Sequence, residues 1–181
     1  MKAKEEFIRF SGVYEDRYKT SLGILVKIKT RKTLTRIIAQ EKIREKTIVT
    51  TNGCFDLIHV GHLRYLQAAK KLGDLLVVGV NSDNSVRKLK GEKRPLVPEN
   101  ERAEMLAGLD CVDYVVIFPE LDPISLLSEF KPDIHVKGGD YTIGQVIERQ
   151  VVEKNGGQVI VGLNIEGKST TNIIQAILDR F

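Results

Sequence analysis

The chain has 181 residues, 42% of them hydrophobic and 29% charged, the balance of a single globular domain large enough to bury a core. No apolar run approaches the ~18 residues of a membrane span, "LGILV" at 22–26 is too short for a signal-peptide core, and Cys54 and Cys111 stand in no metal-binding or redox spacing, which points to reduced thiols in a cytoplasmic protein with no membrane partner. The net charge of +4 is uneven, with 13 Lys and Arg against 6 Asp and Glu in residues 1–46 and 15 against 18 in the rest; a mildly acidic body with 11 aromatics and no Trp argues against nucleic acid as a partner.

Residues 1–30 fit no repeating unit; they allow a helix at 2–10 and a small strand at 22–29. From Arg31 to Lys46, Leu34, Ile37, Ile38 and Ile43 are expected on one face of a helix lying against a sheet. "TIVTTN" (47–52) predicts a strand and "HVGHLRYLQAAKKLG" a helix capped by Gly73. "LLVVGVN" (75–81) predicts a second strand, apolar enough to be buried on both faces. A basic loop, "SVRKLKGEKRPLVP", precedes a helix from about Glu99 to Leu109. "DYVVIF" (113–118) is a third strand, and Asp122-Pro123 offers an N-cap and a first-turn proline for a short helix. "DIHVKGG" (133–139) is a fourth strand, a helix runs to about Asn155, and "QVIVGL" is a fifth strand before a terminal helix. This alternation predicts an α/β fold, a Rossmann-like, doubly wound, parallel five-stranded sheet in a single domain, with ligands beyond the carboxyl ends of the strands.

The chemistry concentrates in "TNGCFDLIHVGH", between the first strand and its helix. His59 and His62 are three apart where the helix begins, so both rings can face one ligand. The unpaired N–H groups of a first turn favour an anion, and Gly53 and Gly61 let a phosphate approach the backbone. Imidazoles there can donate hydrogen bonds to a phosphate whose charge grows during reaction. A zinc site would need further ligands, and only His135 and Cys54 are on offer; two unrelated surface histidines are the plain alternative. No metal-binding residues are expected.

These residues resemble a known family, the nucleotidyltransferases with an H-x-G-H signature, in particular the cytidylyltransferase-like group. "TNGCFDLIHVGHLRYLQAAKKLGD" is similar to its first motif. "GVNSDNSVRKLKGEKRPL", "NERAEMLAGLDCVDYVV", "VKGGDY" and "GKSTTNII" resemble, within that group, the bacterial D-glycero-β-D-manno-heptose 1-phosphate adenylyltransferases. The resemblance covers about residues 31–181, so residues 1–30 are expected to form an N-terminal basic extension and 31–181 the nucleotidyltransferase domain.

It also decides a competing motif. "GLNIEGKS" (162–169) fits the phosphate-loop pattern G-x-x-x-x-G-K-[ST], but a P-loop needs later strands to supply a magnesium-binding Asp, and twelve residues follow Ser169. Ser169-Thr170-Thr171 instead resembles the family's second signature, which leaves Lys168 without an expected role.

The resemblance implies transfer of AMP from ATP to heptose 1-phosphate, giving ADP-heptose and pyrophosphate for lipopolysaccharide core synthesis. His59, His62, Lys90 and Arg102 would be the catalytic residues, Arg102 holding the β- and γ-phosphates. Thr51, Asn52, Gly53, Phe55, Gly138, Gly139, Asp140, Ser169, Thr170 and Thr171 would bind nucleotide; Arg87, Lys88, Lys90 and Lys137 would bind substrate. Mg²⁺ would arrive with ATP, a separate heptose 7-phosphate kinase would supply the acceptor, and a homodimer is expected. Asp56 could be purely structural, capping its turn. The alternatives are a cytidylyltransferase acting on glycerol phosphate or another small phosphate ester, and a non-catalytic nucleotide-binding module.

Overall fold

The computed structural model describes residues 23–138, 141–162 and 170–180. Five strands, β1 (Ile48–Gly53), β2 (Leu75–Asn81), β3 (Tyr114–Phe118), β4 (Ile134–Lys137) and β5 (Gln158–Val161), pair in parallel in the order β3-β2-β1-β4-β5. The helices are α1 (Arg31–Ile43), α2 (Val60–Lys70), α3 (Asp83–Lys90), α4 (Glu99–Ala107), α5 (Ile124–Phe130), α6 (Arg149–Lys154) and α7 (Thr170–Leu178), with a 3-10 turn at Ile143–Gln145. The chain winds outward from β1 to β3, then returns past β1 to β4 and β5. This is the expected doubly wound sheet, and its order reverses between β1 and β4, where such folds open a crevice.

Side chains alternate across each strand, so the sheet buries both faces. Val49, Val78 and Val80 pack with Leu66 and Ala69 of α2 and with Ala103 and Leu106 of α4. On the other face Ile48, Val77 and Val116 pack with Leu34 and Ile38 of α1 and Leu126 and Phe130 of α5. Each such buried side chain contributes about 1.5–3 kcal/mol of apolar burial. No helix among the described residues is long and apolar enough to cross a membrane.

Four expectations are corrected. Residues 23–27 are helical, and the strand expected at 22–29 shrinks to one parallel bridge between Ile28 and Val115; the helix expected at 2–10 lies outside the described residues. Ile43 leaves the face it was assigned, at 84% exposed, because nine residues beyond Leu34 at 100° each turns it half a revolution away. Gly73 is not the helix cap, which falls at Lys71; a Cβ at Gly73 would lie 2.7 Å from Val49 Cγ2 and 2.8 Å from the Thr47 carbonyl, so this glycine allows close approach to β1. The basic loop after β2 begins as a helix, α3, in which Ser82 Oγ accepts the Ser85 N–H at 3.2 Å. Asp83 lies in its first turn and Arg87, Lys88 and Lys90 in its last, which suits the helix dipole.

Candidate active site

A cavity of about 540 Å³ opens at the carboxyl ends of β1, β2 and β4. Its floor follows from where β1 stops. After Gly53 the chain turns sharply, with Phe55 at φ +48°, a left-handed conformation that costs a non-glycine residue about 1–2 kcal/mol. The turn buries the Phe55 ring and brings the chain to His59, the N-cap of α2, whose Nδ1 accepts the Gly61 N–H at 3.1 Å. That bond leaves the neutral ring's proton at Nε2. One turn on, His62 stacks on His59 with ring centroids 3.9 Å apart and planes 28° apart, and Phe55 lies 5.3 Å away. Burial, then the His59 charge, lowers the His62 pKa to about 4, so this imidazole is neutral at pH 7. Its Nδ1 is buried and has no hydrogen-bond partner among the described residues. Both rings line the cavity.

On the β2 side Leu89 and Lys90 line the cavity, while Arg87 and Lys88 of the same helix are exposed and outside it. Arg102, expected to hold the β- and γ-phosphates, does not line the cavity. Its guanidinium is fully buried and donates to the carbonyls of Val97 (2.9 Å), Asn81 (2.9 Å) and Cys54 and to Asp83 Oδ1 (2.7 Å). It ties the ends of β1 and β2 to α3 and presents no donor to the cavity in this conformation. Asp56 does not cap its own turn. It accepts from Arg94 Nε and from the N–H groups of Leu96 (2.8 Å) and Val97 (2.9 Å), and Arg94 lines the cavity. Sequence reading missed Arg94; the proline after it, in a run dense in cations, was the available signal.

On the β4 side Lys137, Gly138 and Tyr141 line the cavity, with Asn52 from β1. Lys137 Nζ donates to Glu148 Oε1 at 2.5 Å and lies 3.5 Å from Asn52 Oδ1. Burial alone would raise the Glu148 pKa, but hydrogen bonds from His135 and Lys137 and the Lys137 charge hold it at about 2. His135 Nε2–H therefore faces Glu148 at 3.4 Å while Nδ1 takes the Thr50 hydroxyl at 2.9 Å; burial depresses the His135 pKa despite that carboxylate. His135 thus belongs to a buried polar chain beneath the site. Among the described residues no three His, Cys, Asp or Glu side chains cluster as a metal site.

Thr51 is also corrected, since it lies beneath the cavity wall. Its hydroxyl donates to Tyr65 Oη at 2.6 Å, and Tyr65 donates to the Val136 carbonyl at 2.9 Å. Tyr65 does line the cavity, and a Cβ at Gly138 would come within 3.0 Å of its ring. Thr170 and Thr171 at the start of α7 reach the cavity, Thr170 Oγ1 donating to the Leu57 carbonyl at 3.3 Å. Gly139, Asp140, Lys168 and Ser169 lie outside the described residues. Asn81 lines the cavity without having been singled out, and so does Cys54, which the sequence offered only as a thiol or zinc ligand; burial raises the Cys54 thiol pKa against the pull of Lys90, Arg102 and Arg94.

A parallel sheet that reverses at β1 and β4, with stacked imidazoles on a helix N-terminus facing a cleft walled by cations, defines a nucleotidyltransferase of the paired-histidine kind. A family model described as Cytidylyltransferase-like matches residues 50–176, and the chain belongs to that family. It is 59% identical over 155 residues to the bifunctional protein HldE of Pelobacter propionicus and 55% identical over 155 residues to that of Geobacter sulfurreducens, in each case across 86% of this chain and 32% of the relative. The chain therefore spans about a third of the length of these curated relatives. Among solved structures, a lipopolysaccharide core biosynthesis protein from Thermoplasma volcanium superposes with a TM-score of 0.55 at 34% identity, over 64% of this chain and 93% of that one. A pantoate-beta-alanine ligase from Francisella tularensis shares the fold, with a TM-score of 0.57 at 18% identity over 82% of this chain and 76% of that one.

Proposed function

We propose that the chain transfers AMP from ATP to D-glycero-β-D-manno-heptose 1-phosphate, releasing pyrophosphate. The observation that carries the transfer chemistry is the stacked His59–His62 pair at the N-terminus of α2. The sugar is supported by the "VKGGDY" and "GKSTTNII" segments and by the 34% identity to a protein of lipopolysaccharide core biosynthesis.

An oxygen of the acceptor phosphate attacks the α-phosphorus in line; that P–O bond forms as the bond to the bridging α–β oxygen breaks, and the electron pair leaves with pyrophosphate. A phosphate monoester has its second pKa at about 6, so the nucleophile is already ionised and needs no base. The task of the protein is to stabilise charge growing on the phosphate oxygens. A neutral His62 keeps one ring N–H with which to donate to a phosphate oxygen. The α2 amides add their dipole, and Lys90 and Lys137 supply positive charge from opposite walls.

Magnesium prefers oxygen ligands and keeps several waters. Asp56 is the sole carboxylate among the described cavity-lining residues, and its oxygens are already engaged. We infer that the ion enters on the phosphates of ATP and is held there. We infer that the acceptor is supplied by a kinase that phosphorylates C1 of heptose 7-phosphate, followed by hydrolysis of the 7-phosphate, since transfer requires a phosphate on C1 and the acceptor carries no other. The reading places the reaction in the cytoplasm, on a homodimer.

The deciding experiment measures pyrophosphate release over a matrix of nucleoside triphosphates and sugar or polyol phosphates. ATP with heptose 1-phosphate should turn over fastest. Faster turnover of CTP with glycerol phosphate would replace this assignment by the cytidylyltransferase one, and no release with any pair would leave a nucleotide-binding module.

A further inference from the structure

We propose that Arg94 is a phosphate-binding residue of the cleft, held in a fixed orientation by Asp56, and that it takes the place on the β2 wall that the sequence offers to Arg102. The inference rests on the reading of the cleft as a site for nucleotidyl transfer, and it concerns which side chain meets the anion.

A transition state spread over several phosphate oxygens demands cations on more than one side. Arg102 is not placed to meet the anion, because it is fully buried off the cavity and donates to Val97, Asn81, Cys54 and Asp83 inside the protein. The described cations that do line the cleft are Lys90, Arg94 and Lys137, and Lys137 is paired with Glu148. Arg94 is built differently from the lysines. Its side chain is 18% exposed and only its Nε is committed, to an Asp56 carboxylate that is 1% exposed. The two terminal nitrogens make no hydrogen bond to any described residue. A guanidinium pinned at Nε keeps its plane fixed and leaves its two-pronged end for an oxyanion, the geometry in which arginine binds phosphate in bidentate fashion.

Asp56 is suited to that task. Besides Arg94 it accepts the N–H groups of Leu96 and Val97, so one carboxylate sets both the side chain and the backbone of the segment that carries it. A salt bridge this buried is a weak source of net stability, because desolvation offsets its attraction. What it does fix is orientation. Asp56 is thus a positioning residue, three positions before His59, and it couples the histidine junction to the cation segment.

The anion could be the leaving pyrophosphate or the acceptor phosphate, and the test separates them. Wild type, Arg94→Ala, Arg94→Lys and Asp56→Asn are titrated by calorimetry with inorganic pyrophosphate, ATP, adenosine and the acceptor phosphate, and kcat and KM are measured for each substrate. Losing a charge-assisted hydrogen bond typically costs ~10- to 100-fold in affinity. Arg94→Ala should lose about that much toward pyrophosphate and ATP if the group is the leaving one, or in acceptor KM if it is the acceptor, with adenosine binding unchanged. Arg94→Lys should recover part of the charge effect. Asp56→Asn should give a smaller loss in the same ligand and leave adenosine untouched. Folded Arg94→Ala protein that binds every phosphate ligand within about twofold of wild type would overturn the proposal. So would an equal loss toward adenosine and phosphates, which would mark Arg94 as structural only. Because pyrophosphate and ATP binding do not depend on the sugar, a failure of the heptose assignment with loss at Arg94 intact would sink that assignment and leave this one standing.

Discussion

His62 sits between the His59 and Phe55 rings with its Nδ1 unpartnered among the described residues, and its pKa near 4 follows from that confinement. Two outcomes follow at this residue. His62→Ala should lower kcat by ~10²–10³, the usual loss for one transition-state donor, with a smaller change in ATP affinity; His62→Asn, which keeps an amide donor, should recover part of it. Single-turnover kinetics with ATP titrations will separate the two effects. The second outcome concerns stability and pH. The folded value of about 4 lies below the ordinary 6.5, so between them the unfolded chain binds a proton that the native state refuses. Ligand-free protein should lose stability as pH falls through that window, and His62→Asn should remove this part of the slope, read from urea midpoints at pH 7 and pH 5. The sequence made the two histidines legible because their spacing alone puts them together. It could not distinguish Arg102 from Arg94, since both are cations in one stretch and only the packing shows which one is enclosed by carbonyls.

At the scale of elements, α1 packs through Leu34 and Ile38 on the second face of the sheet, with Arg31 paired to Glu120 and Glu129 and Lys42 to Asp133 at its ends. Leu34→Ala should destabilise by about 2–5 kcal/mol, the range for a fully buried leucine. Ile43→Lys on the same helix should change stability by no more than about 0.5 kcal/mol, since its side chain is in solvent. Denaturant midpoints check both, and equal costs would mean that Ile43 packs against something. The strands were readable to within one or two residues because each is a short apolar run between turn signals: β2 begins at Leu75 and ends at Asn81 as expected, while β4 and β5 stop two residues early, at Lys137 and Val161. The helices were harder. Ser82, with Asp83 behind it, is an ordinary N-cap signal, yet the cations that end α3 read as a loop. The helix expected to run to about Asn155 is a 3-10 turn at Ile143–Gln145 and the six-residue α6, because Val146 between them takes an extended backbone, φ −81° and ψ 98°, that breaks the helical course.

For the whole molecule, the parallel doubly wound sheet was within reach because alternating β and α units have few allowed connections. The placement of residues 23–30 was not, since a single bridge to an edge strand leaves no periodic trace. Ile24 and Ile28 pack against the first core cluster, and the Lys29 N–H donates to the Val115 carbonyl at 2.9 Å. A chain beginning at Arg31 would lose these contacts along β3. It should unfold at a lower urea concentration than the full chain while retaining ATP binding, because the cleft lies at the far ends of β1, β2 and β4. Equal midpoints for the two chains would show that the boundary at Arg31 costs the fold nothing.

Asp56 and the backbone it fastens are 40 and 41 positions apart in sequence, which matters for recombination among relatives. A crossover placed between the α2 junction and residues 94–97 would join one parent's carboxylate to the other parent's segment. Unless both parents carry an acid at position 56 and an arginine at position 94, such a chimera would inherit each half of the cleft intact and lack the link between them. Exchanging the cation segment therefore requires moving residue 56 with it, as one heritable block that the linear sequence splits in two.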